Sequence, residues 1–305
     1  MQKITPHLTF NSHALEAVNL YTSVFKNSNV LNTTKFTEED MKELYKLPED
    51  IRPGPAGVIK SIGFQLNGHD FIAVNGGPYF TFTPAISFFV TCESEPEIDY
   101  LFEKLSESGQ ILMPLQKYDF SERYGWLQDK YSVSWQFMLT GTPQIITPFL
   151  MFVGEQYGKA EEAIKFYTSI FKDSAVNNIV YYGKENPSEE GKVVHASFRL
   201  MGEDFIAMES GLDHKFNFTE GISLYVSCDT QEELDHLWDK LSEGGETQEC
   251  GWLKDKYGVS WQIAPSIAWE MVNDSDTAKA QRVSTAILRM KKLDFDTIQK
   301  AYEQK

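Results

Sequence analysis

Residues 124–136, YGWLQDKYSVSWQ, return as CGWLKDKYGVSWQ at 250–262, with ten of thirteen positions identical. Agreement of that kind marks a tandem duplication, so whatever this chain folds into must be built twice. The rest of the sequence keeps step with the repeat. Ile4, Pro6, Leu8 and Phe10 alternate with polar residues as in a half-buried strand, and Ile146, Pro148, Leu150 and Phe152 answer them. A helical stripe follows each strand: Ala14, Ala17, Val18, Tyr21, Val24 and Phe25 in one copy, Ala160, Ala163, Ile164, Tyr167, Ile170 and Phe171 in the other.

The spacing then predicts paired strands at 58–66 and 71–75, with mates at 193–200 and 205–209, each pair turned by Gly68 or Gly202. Another strand, 85–92 or 221–228, leads into a helix opened by a capping box, Ser94 with Glu97 and Thr230 with Glu233. The repeated stretch closes each copy as a hairpin. Copy one alone inserts an acidic segment at 37–55, where a short helix over 38–45 is expected before Pro48, Pro53 and Pro55. The expected fold class is α+β: one domain over 1–140, a second over 145–265, and a helical tail over 266–305. Each domain carries two βαβββ-like modules. The connection at 140–144 is too short to let the halves wander, so they should pack as a pseudo-dimer within the chain, with further homodimerisation left open. In the tail, Val283, Ile287, Met290 and Leu293 form a stripe, and Asp294 caps a last turn bearing Phe295, Ile298 and Tyr302. This predicts a helix docked on the domain surface.

Composition narrows the function. With 305 residues, 42% hydrophobic and 24% charged, the chain can bury two ordinary cores. A net charge of -16, spread along the chain, argues against nucleic acid. The first residues lack the apolar run of a signal peptide, and 145–153 is too short to span a bilayer, so a cytoplasmic protein without a membrane partner is expected. Cys92 and Cys228 fall at matching strand ends and read as small buried hydrophobes.

The GWLxDKYxVSWQ hairpin, the ITPxLxF strand, the AEEAIKFYTSIF helix and the AQRVSTAILRMKKLDFDTIQKAY tail together resemble the PhnB-like branch of the vicinal oxygen chelate superfamily. That superfamily also holds glyoxalase I, extradiol dioxygenases, and bleomycin and fosfomycin resistance proteins. The resemblance implies that each pair of modules curls into a cupped sheet whose hollow takes the ligand, with up to four His, Glu or Gln ligands where a metal is bound. It places Gln136 and Gln262 at the last ligand position, and the first near Pro6 or His7 and near Pro148 or Phe149. Methyl transfer, the activity under which members are often labelled, is not expected: no Gly-rich strand-to-helix turn suits a nucleotide-like methyl donor.

Strand alternation gives an independent list of residues for the hollow. In copy two it predicts His195, Ser197, Arg199, Phe205, Ala207, Glu209, Ser223, Tyr225, Ser260 and Gln262. In copy one it predicts Thr5, His7, Thr9, Ser61, Gly63, Gln65, Asn75, Ser87, Phe89, Ser134 and Gln136. No histidine has a histidine mate: His7 matches Phe149 and His195 matches Ser61. The expected function is small-molecule binding, mainly in the second domain, through Arg199, Ser197, Tyr225, Gln262, His7, Gln65 and Gln136. The alternative is an enzyme using His195 and Glu209 as acid and base, or His195, Glu209 and Gln262 as a weak metal set; the residues single out no cofactor, and a divalent metal is not favoured. Trp135 and Trp261 are expected to pack toward the helices. Asp129 with Lys130, and Asp255 with Lys256, are expected to form solvated turns.

Overall fold

The computed structural model describes residues 2–44, 55, 57–184 and 186–304. The chain runs through four modules. The first holds β1 (Ile4–Phe10), α1 (Ala14–Val24), β2 (Asn29–Lys35), α2 (Glu38–Leu44), β3 (Ile59–Leu66) and β4 (His69–Asn75). The second holds β5 (Ile86–Cys92), α3 (Glu95–Ser106), β6 (Gln110–Tyr118), β7 (Ser121–Gln128) and β8 (Ser134–Leu139). Copy two repeats them as β9 (Ile146–Phe152), α4 (Ala160–Ile170), β10 (Ala175–Tyr181), β11 (Val193–Leu200) and β12 (Glu203–Glu209), then β13 (Ile222–Cys228), α5 (Gln231–Ser242), β14 (Glu246–Thr247), β15 (Trp252–Lys254) and β16 (Ser260–Pro265). The tail forms α6 (Ser266–Val272), α7 (Thr277–Ile287) and α8 (Phe295–Glu303). The helix expected over 38–45 is α2; Tyr45, Pro48 and Pro53 lie outside the described residues. Strands β2, β6 and β10 are largely exposed and carry no clear apolar alternation, so periodicity does not mark them.

Two eight-stranded sheets result, ordered β14-β15-β16-β13-β1-β4-β3-β2 and β10-β11-β12-β9-β5-β8-β7-β6. Each sheet therefore joins one module of copy one to one module of copy two, whereas the two modules of a single copy were expected to share a cup. The short link explains the exchange. It turns β8 back so that β9 lies antiparallel to β5 in the same sheet, with Phe89 opposite Thr147, which leaves the edge of β1 to be taken by β13, with His7 opposite Ser223. The two modules of one copy instead meet through their helix-covered faces. Trp135 packs 5.2 Å from both Tyr21 and Phe25, and Trp261 packs 5.3 Å from Tyr167 and 5.2 Å from Phe171.

The aspartates of the repeated motif fasten that contact. Asp129 accepts hydrogen bonds from the backbone N–H groups of Tyr131 (2.8 Å) and Val133 (3.1 Å), from Tyr21 Oη (2.7 Å) and from Trp135 Nε1 (2.9 Å). Asp255 makes the same four bonds, with Tyr257, Val259, Tyr167 and Trp261. Both are buried, not solvated as the turn chemistry suggested. Burial pushes their pKa values up, against the pull of the four donors. Trp135 and Trp261 are core residues as expected, and so are Cys92 and Cys228, whose thiols burial holds above their ordinary range. Of the two capping boxes, Thr230 accepts from the Glu233 N–H at 3.1 Å, while Ser94 makes no such bond and Glu97 caps the Glu93 N–H instead. Asp294 caps α8 as expected, through the Thr297 N–H.

Candidate functional site

The cup of the first sheet is set by β1. Ile4, Leu8 and Phe10 enter the helix-side core, so Thr5, His7 and Thr9 point into the hollow. Across the sheet, Tyr225 lies opposite Gln262, and Gln262 opposite Trp252. Above this face the tail arches back. Helices α6 and α7, with Thr33, Thr34, Thr37, Lys60 and Ser61 on the facing rim, enclose a cavity of about 560 Å³ lined by Tyr225, Trp252, Gln262, Trp269 and Gln281. The tail is tied down at the hairpin turn: the N–H groups of Cys250 and Gly251 donate to the carbonyls of Met290 and Lys291, both at 2.7 Å. Leu293 and Ile298 are buried beneath it. At the rim, Lys60 Nζ sits 2.9 Å from Asp40 Oδ1, and Asp40 also accepts from the Thr37 N–H and hydroxyl. Burial alone would raise the Asp40 pKa, but Lys60 and Thr37 outweigh it and hold the carboxyl below its usual range. Thr37 Oγ1 also lies 2.9 Å from Gln281 Oε1, its single proton shared between Asp40 and this second acceptor, which joins rim to tail.

On the same face of β1, outside the lining of that cavity, His7 Nδ1 and Thr9 Oγ1 are buried and have no hydrogen-bond partner among the described residues. His7 is 6% exposed, its ring 5.5 Å from that of Trp252 and perpendicular to it. Burial lowers its pKa to about 3, so the imidazole is neutral. A buried polar atom left unpaired costs free energy and calls for a water or a ligand. Gln262 adds a third open position. In the second sheet the equivalent Gln136 is saturated, its Oε1 receiving Tyr124 Oη at 2.7 Å and its Nε2 donating to Ser87 at 2.7 Å. Gln262 keeps the Ser223 bond at 2.8 Å, but Cys250 stands where Tyr124 would donate.

The cup of the second sheet is filled by its own side chains. Tyr124, Trp126, Phe149, Met151, Val153 and Ile206 form a separate apolar cluster, with Phe89, Met113, Met138, Met208 and Phe216 packed on it.

The predicted constellation does not assemble. His195 and Ser197 lie on β11 of the second sheet and Gln262 on β16 of the first. Glu209 is on the other face from His195: the register pairs Ala196 with Ala207 and Phe198 with Phe205, so Phe205, Ala207 and Glu209 face the helices. There Glu209 is consumed, each oxygen accepting a backbone N–H at 2.7 Å, from Ala160 at the start of α4 and from Val193. Asn75, also assigned to a hollow, plays the same part for Ala14. Alternation could not give the sign of β12, because Phe205, Ile206 and Ala207 are all apolar. The two-residue turn at Met201 and Gly202, both at positive φ, sets the register instead. Arg199 pairs with Asp204 across the hairpin, at 2.9 Å and 3.2 Å, and Gln65 donates to Asp70 at 2.8 Å. His195 is half-buried, which lowers its pKa. Among the described residues no group of three His, Cys, Asp or Glu side chains converges as a metal site.

Tyr225 and Gln262 thus line the cavity and His7 lies beside Trp252, while His195, Ser197, Arg199, Gln65 and Gln136 lie elsewhere. The cavity also draws on both copies, whereas the second was expected to hold most of it. Trp269, Lys60, Asp40 and Gln281 were not among the expected site residues, and Trp252, one of the four repeated tryptophans that invite an aromatic ligand, joins them in the lining. The signal for Trp252 was present: it stands one strand across from Gln262 in the repeated motif, on the same face.

The family model described as 3-demethylubiquinone-9 3-methyltransferase matches residues 2–138 and again 144–264. The chain belongs to this PhnB-like family. A PhnB-like protein of single-copy length, from Bacillus cereus and described as a 3-demethylubiquinone-9 3-methyltransferase, PhnB protein, is 43% identical over 46% of this chain and 100% of its own, with a TM-score of 0.39. A Staphylococcus aureus protein is 32% identical over 46% of this chain and 97% of its own, with a TM-score of 0.19. Glyoxalase I from Zea mays shares the fold alone: it is 10% identical over 85% of this chain and 92% of its own, with a TM-score of 0.50. No curated protein matches the chain. Among the described residues of this PhnB-like chain, no helix is long and apolar enough to cross a membrane.

Proposed function

We propose that this PhnB-like protein binds a small, largely aromatic and uncharged molecule in the cup of the first sheet, beneath the C-terminal helices. The observation that carries this reading is the cavity of about 560 Å³ walled by Tyr225, Trp252 and Trp269, with the acceptor of Gln262 left open. Its size falls within the roughly 300–1,000 Å³ usual for small-molecule sites, and its lining sets the rings of Phe36, Tyr225, Trp252 and Trp269 among aliphatic and polar side chains. On the lining the Gln262 amide offers hydrogen bonds without charge, and Lys60 is already paired with Asp40, which favours a phenol or an amide over an acid.

The test is a titration with a panel of small phenols and aromatic amides, read by tryptophan fluorescence and calorimetry. Saturable 1:1 binding should weaken by about tenfold or more in Trp252→Ala and in Trp269→Ala, each of which removes a large ring contact. His195→Ala should leave it unchanged. Binding that survives both tryptophan changes and falls with His195→Ala would move the site to the second sheet.

A further inference from the structure

The duplication supplies an internal control for a second groove, outside both cups. In copy one, Phe10, Phe80, Phe82 and Tyr131 wall an open depression of about 470 Å³, edged by His13, Lys130 and Ser132. Phe10 and Phe82 form an edge-to-face pair at 4.9 Å, and the His13 ring lies 6.4 Å from Tyr131. Lys130 Nζ sits 5.2 Å above the ring of Tyr131 and has no carboxylate partner among the described residues.

The same place in copy two is closed by the chain itself. Phe152 and Phe218 repeat the aromatic pair at 5.2 Å. The connection from β9 to α4 is longer there, 153–159 against 11–13, and brings the Gln156 amide within 4.0 Å of where a Cβ on Gly258 would lie. Lys256, the mate of Lys130, holds Glu162 at 3.2 Å, and Tyr257 Oη donates to the same oxygen at 2.8 Å. In copy two, then, a Lys-Tyr pair grips a carboxylate beside a groove filled by an inserted loop. In copy one the pair remains and the insertion is absent, while Glu16, the mate of Glu162, is present but makes no ion pair with Lys130 among the described residues.

We propose that this groove of copy one binds a small aromatic carboxylate. The acid meets Lys130 and the Tyr131 hydroxyl, as Glu162 meets Lys256 and Tyr257, and the ring lies against Phe10, Phe80 and Phe82. Charge selects the ligand, since the site offers an uncommitted cation on a protein of net charge -16, where long-range attraction for anions is otherwise poor.

The probe is 2-naphthoate, with 2-naphthamide as its uncharged control, titrated by calorimetry into the full chain and into variants checked by thermal melting. One equivalent should bind, with the amide at least about tenfold weaker. Lys130→Met, which keeps the alkyl stem, should weaken naphthoate by a similar factor, and Lys256→Met should not. Replacing residues 11–13 by the longer 153–159 segment should abolish binding by filling the groove. Loss of naphthoate binding in Trp252→Ala with full binding in Lys130→Met would assign the ligand to the cup and overturn the proposal. So would equal affinity for acid and amide, or no binding at about 10 mM, which corresponds to less than about 3 kcal/mol.

Discussion

The two cups are built from the same four kinds of strand, yet one is hollow and the other is solid. Where the first sheet has His7, Tyr225, Cys250 and Ser61, the second has Phe149, Phe89, Tyr124 and His195. In the second sheet, Tyr124 completes the hydrogen bonds of Gln136, and Phe149, Met151 and Ile206 fill the space beside it. The coverings differ as well. The second sheet carries the long β6, which contributes Met113 and Tyr118 to the apolar cluster, whereas β14 in the first is two residues long and the tail stands in its place. Duplication lets one cup become core while the other keeps unpaired polar atoms that a core would not tolerate.

Ending the chain after Pro265 tests this contrast most severely. It strips Val283, Leu293 and Ile298 from the first sheet, all buried, and should cost about 5 kcal/mol or more of stability in urea unfolding, given roughly 1.5–3 kcal/mol per buried aliphatic side chain. Hydrogen exchange should accelerate in β13 and β16 and not in β5 and β8. Equal acceleration in both sheets would show that the tail supports the whole molecule, not one cup.

Glu209 and His195 come next. Glu209→Ala leaves the N–H groups of Ala160 and Val193 buried without an acceptor, a loss of about 2–4 kcal/mol. His195→Ala should cost less than about 1 kcal/mol, and the double variant should be additive within about 0.5 kcal/mol, since the two residues sit on opposite faces. A coupling above that would restore them as a pair.

The smallest effect carries a pH signature. His7 has a folded pKa of about 3 against 6.5 when free, so the unfolded chain takes up the proton first. Stability from this residue is complete above pH 6.5 and is lost as the pH falls toward 3. Between pH 7 and about 4.5 the chain should lose about 2–3 kcal/mol more than His7→Phe, which installs the residue of the second cup. Identical pH profiles would mean that His7 is not buried as the neutral form.

Much of the architecture could be read without coordinates, because it rests on local periodicity. Ile4, Leu8 and Phe10 alternate, Tyr21 and Tyr167 sit on helical stripes, and Asp294 caps its helix; such patterns need only the preferences of the nearby backbone. The parity of β1 held for the same reason, since its two faces differ in polarity. It failed at β12, where Phe205, Ile206 and Ala207 are apolar on both faces and only a long-range register distinguishes them. Asp129 and Asp255 misled because a charge in a turn looks solvated until the tyrosine that reaches it, Tyr21 or Tyr167, is brought up from about a hundred residues away. The repeat determined that there are two halves, each with the same modules. Which module shares a sheet with which, and therefore which residues share a cavity, was settled by strand edges pairing across the copies. That choice is made by the geometry of a short connection and the burial it permits, and no single segment encodes it.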